Sequence, residues 1–305
     1  MSERRVVLAP VPRRRALSRI VAGTAALALP SALGACSTAP ATPLTVPRRV
    51  DYGPHPSQFG ELTLPAGTGP VRGVAVVVHG GFWLQGFGLE LGRPLAADLA
   101  AAGLAAWNVE YRRVGGGGGW PATFDDIAAA VDLLAGPVQQ AAGGRLAPDG
   151  AVPDRVVAVG HSAGGHLVGW LAARPGLPDG APGARPAVRL RGAVSQAGVL
   201  DLVDAAQRRV GGSAVPNLLG GPPSAVPDRY ALAAPVARVP LGVPVVCVHG
   251  TADRTVPIRQ SERFVAAAGT AAELIRLPGV DHLALIDPST AAWRACRDAV
   301  ERLLT

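Results

Sequence analysis

The sequence predicts an α/β fold: a central, mostly parallel sheet with helices on both faces. Three observations lead there. Runs of strand length at residues 71–78, 156–159 and 244–248 are apolar almost throughout, as parallel strands buried on both faces are. Segments with helical patterning at 89–102, 123–134 and 290–304 alternate with them, and such alternation favours parallel pairing through crossover helices. With 305 residues, 49% of them hydrophobic, the chain can bury one large core.

Residues 1–35 read as an export signal rather than as part of the fold. Arg13, Arg14 and Arg15 form a basic start, and residues 20–35 carry no charge. That stretch is too short and too interrupted by proline for a comfortable membrane span. It ends Leu33-Gly34-Ala35-Cys36, which resembles a bacterial lipobox. The resemblance implies a lipid on Cys36, holding the protein on the outer face of the bacterial cytoplasmic membrane. Residues 13–17 also resemble a twin-arginine export signal.

Residues 36–57, rich in Ser, Thr, Pro and Ala, read as a flexible tether, so the folded domain is expected over 58–305. Within it, 59–64 reads as an edge strand, 105–111, 190–196 and 273–277 as further strands, and 257–268 as a helix. Residues 174–188 read as a surface loop. Residues 200–240 read as a small lid insertion with helical patterns at 202–209 and 215–219, and are expected to furnish much of the substrate pocket.

The net charge of +7 singles out no partner. Six arginines against one acid in residues 1–35 contribute +5, which leaves +2 for the rest. No basic stripe remains for a nucleic acid. There is no C-x-x-C or H-E-x-x-H spacing for a metal, and residues 115–119 are glycine-rich without the Gly-Lys-Ser/Thr of a phosphate-binding loop. No metal and no cofactor are expected. Cys247 falls in an apolar strand and Cys296 on the apolar stripe of the last helix; both read as small buried hydrophobes, while an exported setting leaves a disulfide open.

Three strands end alike, in His79-Gly80, in Gly160-His161-Ser162 and in His249-Gly250. In a parallel sheet these carboxyl ends converge on one rim, where ligands bind. Gly160-His161-Ser162-Ala163-Gly164, set between an apolar strand and a helix, is a G-x-S-x-G turn that lifts Ser162 above the sheet as a candidate nucleophile. A side chain at Gly160 or Gly164 would collide with the tightly packed strand and helix. The N–H of Ala163 is one candidate oxyanion donor; His79-Gly80-Gly81-Phe82-Trp83 offers those of Gly81 and Phe82.

A serine nucleophile needs a base. Of the histidines at 55, 79, 161, 166, 249 and 282, His282 lies in a loop after the last strand, where an imidazole can swing over the rim. Asp253 lies between serine and histidine in the chain and is the candidate orienting acid. Asp281 and Asp287 compete by proximity, and Asp253 could instead cap the helix at 257–268. Trp83 and His161 read as pocket walls.

With Glu110-Tyr111-Arg112, Trp120-Pro121-Ala122, Asp125-Asp126 and Val256-Pro257, these motifs resemble the α/β-hydrolase superfamily over residues 58–304. The chain is similar to esterases of the hormone-sensitive-lipase, acetyl-xylan/feruloyl esterase and kynurenine formamidase groups. It departs from the H-G-G-G lipases by carrying Phe82 at the third glycine. The resemblance implies an eight-stranded sheet, a Ser162–His282–Asp253 triad, and cofactor-free hydrolysis of a small-molecule carboxylic ester through an acyl-enzyme. The same triad would serve an amidase, formamidase or peptidase. A chain that kept the fold without turnover would be a surface-anchored binding lipoprotein.

Overall fold

The fold comes from a computed structural model that describes residues 46–305. The export signal, Cys36 and the first part of the expected tether lie outside the described residues. Eight strands are present: β1 (Arg48–Asp51), β2 (Phe59–Thr63), β3 (Val74–Val78), β4 (Ala105–Val109), β5 (Val156–His161), β6 (Gly192–Gln196), β7 (Val245–Gly250) and β8 (Ala272–Leu277). They form one sheet in the order β1-β2-β4-β3-β5-β6-β7-β8. β1 and β2 run antiparallel at one edge, and the rest are parallel to β4.

The apolar runs are buried on both faces because alternate residues serve different cores. Val74, Val76 and Val78 point into one core and Ala75 and Val77 into the other; Val156 and Ala158 alternate with Val157 and Val159 in the same way. α1 (Arg93–Ala101) and α9 (Ala291–Leu304) cover the second face through Leu95, Leu99, Trp293 and Val300. α2 (Ala122–Asp132) and α4 (Ala163–Ala173) cover the first through Phe124, Ile127, Leu167 and Trp170. A short helix the sequence left unread, α3 (Pro137–Ala141), adds Val138 to that face. Cys247 and Cys296 belong to opposite cores and are both free thiols, so the sheet separates them.

Two expectations need correction. The tether was expected to run to residue 57, yet Arg48–Asp51 pairs as β1 with Phe59–Leu62 of β2. Three of its four residues are charged, so it carries no apolar signature. Main-chain pairing holds it, with the Arg49 guanidinium 3.7 Å over the Phe59 ring. Just beyond, the Tyr52 hydroxyl donates to the Glu110 carbonyl at 2.6 Å. His55, also assigned to the tether, accepts the Ser57 N–H at Nδ1 and shapes the turn into β2.

The second correction concerns the insertion. It consists of α5 (Leu202–Gln207), α6 (Ala214–Leu219) and α7 (Pro227–Ala233), of which the sequence foresaw the first two. Leu202, Ala205, Val215, Leu218 and Leu219 sink into the first core. Asp201 and Asp204 tie it to Arg263 and Arg259 of α8 (Arg259–Ala268), at 2.7 and 2.8 Å. The insertion is thus packed down on the domain. None of its residues lines the cavity at Ser162.

Candidate active site

Ser162 sits between β5 and α4 with φ 57° and ψ −116°, a conformation unusual for a residue with a Cβ. The flanking glycines make the turn possible. A Cβ on Gly160 would meet the Gly164 carbonyl oxygen at 2.4 Å, and one on Gly164 would meet the Val78 oxygen of β3 at 2.1 Å. The G-x-S-x-G spacing therefore reports a real packing constraint. Ser162 is 3% exposed, and its hydroxyl makes no hydrogen bond among the described residues. It opens into a cavity of about 380 Å³.

His282 lines the same cavity. Its Nδ1–H donates to Asp253 Oδ2 at 2.6 Å, which leaves Nε2 without its proton and able to accept one. Asp253 Oδ1 accepts the N–H groups of Thr255 and Val256 at 2.8 and 2.9 Å. Capping role and orienting role thus fall on the two oxygens of one carboxylate. Burial alone would push this carboxyl up, but hydrogen bonds from His249, His282 and the Val256 N–H outweigh it and hold Asp253 well below the usual carboxylate range. The rivals point elsewhere: Asp281 accepts the Leu283 and Ala284 N–H groups, and Asp287 that of Ser289.

His161 is buried beside His282, with ring centroids 4.3 Å apart. Its Nε2–H donates to the His282 backbone carbonyl at 2.9 Å. Burial, with the neighbouring His282 next in effect, pushes its pKa down to about 3, so the ring is neutral at ordinary pH. It lines the cavity.

After β3 the chain turns through Gly81, Phe82 and Trp83 with φ of 105°, 51° and 57°. Three consecutive residues in the left-handed region are costly, and two of them are not glycine. The turn is held from behind. Leu84 N–H donates to the Gly81 carbonyl at 2.9 Å, and the Trp83 carbonyl accepts Val114 N–H at 2.8 Å. Glu110 accepts from the N–H of Leu89 and Tyr111 at 3.0 and 2.9 Å, pairs with Arg113, and faces His79 Nε2 at 3.0 Å. Burial pushes His79 down to about 4, so its ring carries one proton, for which the Gly80 carbonyl at 2.7 Å competes with Glu110. Arg112 grips the buried Asp126 through its backbone N–H and two guanidinium donors. The Glu110-Tyr111-Arg112 run is therefore a buttress behind the loop, away from the cavity.

Gly81 and Phe82 line the cavity, and the N–H groups of Phe82 and Ala163 enter no hydrogen bond among the described residues. Ala163 opens α4, where the first N–H groups lack helical partners. Trp83 does not line the cavity. It is fully buried, edge-on to the His166 ring at 5.2 Å, because its left-handed backbone turns it inward. His166 packs against the insertion, its Nε2–H donating to the Ala233 carbonyl at 3.0 Å.

The apolar walls were missed from the sequence. Phe87, Leu91, Leu283 and Ile286 line the cavity, each in the stretch that follows a recognised motif. Loop residues have no period, so the only available signal was their position next to His79–Trp83 and His282. His249 was also missed as a partner of the acid: its Nε2 lies 3.4 Å from Asp253 Oδ2 and 2.9 Å from the Val256 carbonyl. Among the described residues no group of three or more His, Cys, Asp and Glu side chains converges as a metal site.

Known proteins resemble this arrangement at three levels. The chain is 26% identical over 262 residues to Esterase LipC of Mycobacterium tuberculosis, covering 77% of this chain and 59% of that protein. It is 29% identical over 204 residues to the probable carboxylic ester hydrolase LipM of the same organism, covering 65% of this chain and 44% of LipM. The chain therefore spans about half the length of these two relatives. Its fold matches a carbohydrate esterase from gut microbiota with a TM-score of 0.67 at 21% identity, over 87% of this chain and 98% of that one. It also matches the Thermogutta terrifontis esterase Est2 with a TM-score of 0.64 at 24% identity, over 85% and 91%. At such identities these matches establish the α/β-hydrolase fold. Residues 61–267, more than half of the chain, match the BD-FAE family, and the chain belongs to that family.

Proposed function

We propose that the protein is a serine carboxylic-ester hydrolase acting through an acyl-enzyme. The observation that carries this reading is the 2.6 Å bond from His282 Nδ1 to Asp253 Oδ2, which turns Nε2 toward the cavity that holds Ser162. Ser162 Oγ attacks the ester carbonyl carbon as its proton passes to His282 Nε2. The carbonyl oxygen becomes an oxyanion, bound by the Ala163 N–H and those of Gly81 and Phe82; each such donor supplies about 3 kcal/mol at the transition state. The C–O bond to the leaving alcohol then breaks, and His282 returns the proton to that oxygen. A water molecule, deprotonated by His282, attacks the acyl-serine carbon and releases the carboxylic acid. Asp253 stays ionised and stabilises the imidazolium at both steps. The esterase names of LipC and LipM support an ester over an amide.

The test is fluorophosphonate labelling beside turnover of p-nitrophenyl acetate. Both are expected from the wild-type chain and neither from Ser162→Ala. Labelling that survives in Ser162→Ala, or a wild-type chain that neither labels nor turns over, contradicts the reading. The latter result favours a binding lipoprotein. Faster cleavage of N-formylkynurenine or peptide amides than of esters favours an amidase.

For the N-terminus we propose export and lipid attachment at Cys36, on the strength of Leu33-Gly34-Ala35-Cys36. Cys36→Ala is then expected to move the protein from the membrane to the soluble fraction. An unchanged distribution contradicts the anchor.

A further inference from the structure

Two clefts of different character meet at His282. The cavity of about 380 Å³ at Ser162 is walled by Phe82, Phe87, Leu91, Leu283 and Ile286. The second cleft, about 480 Å³, shares Thr255, His282 and Leu283 with it and continues over Arg254, Gly279 and Asp281. Arg254 has no hydrogen-bonding or ionic partner among the described residues.

The first cavity has little to offer a polar acyl group. None of its lining side chains is a carboxylate, guanidinium or ammonium. Of its polar groups, His161 Nε2 is engaged by the His282 carbonyl and His282 Nδ1 by Asp253. Ser162 and His282 Nε2 act on the ester itself, and Thr255 is an exposed residue. A charged or polyhydroxylated acyl chain would lose its water there and meet no charged partner and few free polar groups. An apolar chain gains instead, by roughly a factor of four in binding for each buried methylene.

The mouth has the same bias. Four large hydrophobic side chains stand out as exposed among the described residues, and two of them, Phe87 at 44% and Leu283 at 64%, flank this cavity. Each adjoins the machinery. The Phe87 ring lies on Gly81, where a Cβ would come within 2.3 Å of Phe87 Cβ, and Leu283 follows His282. Apolar surface left uncovered around a pocket marks recognition of an apolar partner.

The two clefts also divide the substrate. The leaving oxygen must meet His282 Nε2, which reprotonates it, and the polar cleft shares His282 with the cavity but is lined by neither Gly81 nor Phe82. The leaving group therefore exits over Arg254 and Asp281, while the acyl chain lies among Phe82, Phe87, Leu91 and Ile286. The cavity, about 380 Å³ and open to solvent, has room for an acyl chain of several carbons beyond the ester centre. We infer that the substrate is an ester joining an uncharged aliphatic acid of medium chain length to a polar alcohol.

This rests on the esterase reading of the site, and the experiment separates the two. The full chain is assayed on p-nitrophenyl esters from acetyl to hexadecanoyl, on a succinyl monoester beside butanoyl, and on octanoyl glycerol beside octyl octanoate. We expect kcat/KM to rise at least tenfold from acetyl to octanoyl and to fall again at hexadecanoyl. The succinyl ester is expected to be at least tenfold poorer than butanoyl, and the glycerol ester better than the octyl ester. Phe87→Ser and Leu283→Ser, both at exposed positions, should each lower the octanoyl-to-acetyl ratio at least threefold. A series that declines from acetyl onward, a succinyl ester cleaved as fast as butanoyl, or a ratio unchanged in both variants overturns the inference and leaves the esterase reading standing. Absence of turnover on every ester, with Ser162 unlabelled, overturns both.

Discussion

Asp253 holds His282 with one carboxylate oxygen and its own loop with the other. Oδ2 lies 2.6 Å from His282 Nδ1, while Oδ1 accepts the Thr255 and Val256 N–H groups. An amide keeps an oxygen for the loop but turns an N–H toward the ring, which then has to present the other tautomer. Asp253→Asn is therefore expected to fold normally and to lose roughly 10⁴-fold in kcat, the scale seen when a triad acid is neutralised in place. Steady-state kinetics with a thermal melt check this. A loss below tenfold would show that the bond does not set the tautomer on which turnover depends.

The insertion packs on Phe82 at Gly211. Gly211 has φ 65°, and a Cβ there would meet Phe82 Cε1 at 2.3 Å. Gly212 has φ 69°, and a Cβ there meets nothing within 4 Å. Alanine imposes similar backbone strain at both positions, about 1–2 kcal/mol for a left-handed residue, but only at Gly211 does it press on the oxyanion loop. Gly211→Ala is expected to lower kcat at least tenfold, and Gly212→Ala to lower stability with kcat within twofold. Equal kinetic losses in both would assign the effect to strain alone.

The contrast between these two regions explains what the sequence made legible. Ser162, Asp253 and His282 could be singled out because each follows a strand, apolar and buried in the case of β5 and β7, and two of them lie beside glycines that the turns require. Gly160 and Gly164 are of this kind, since any Cβ there strikes main chain. β1 could not be read, because its order comes from backbone pairing and its side chains are mostly charged. The cavity walls at Phe87 and Leu283 could not be read either, since loop side chains are placed by tertiary contacts that leave no period. Trp83 was misassigned because composition gives no warning that three successive left-handed residues turn it into the core.

His161 connects the turn that carries Ser162 to the loop that carries His282. Its Nε2–H reaches the His282 carbonyl at 2.9 Å. His161→Leu removes the donor and leaves that carbonyl unpaired, at a cost of about 1–3 kcal/mol. We expect kcat to fall roughly tenfold or more, with KM within twofold, because the proposed base is displaced and the cavity keeps an apolar wall. His161→Gln, whose amide N–H reaches nearly as far, should restore most of kcat. Failure of glutamine to outperform leucine would show that the hydrogen bond is not what matters.

Buried histidines also set how the fold responds to acid. Burial pushes His166 from 6.5 down to about 4 and His161 to about 3. His166 lies among Trp83, Phe124 and the Ala233 carbonyl, and its Nδ1 has no partner among the described residues. The unfolded chain binds protons at these positions near pH 6.5, whereas the folded chain resists them until much lower pH. Between those limits the unfolded state holds more protons, so stability increases with pH. It is fully present above about 6.5 and is lost as the pH falls toward 4. Asp253 acts in the same direction but at lower pH, since its folded value lies below the ordinary 3.8. The urea midpoint is therefore expected to drop between pH 7.5 and 5.0. His166→Gln keeps an N–H for the Ala233 carbonyl and cannot be protonated, so its drop should be visibly smaller, whatever its midpoint at pH 7.5. An equal drop in both proteins would show that proton uptake at His166 does not limit acid stability.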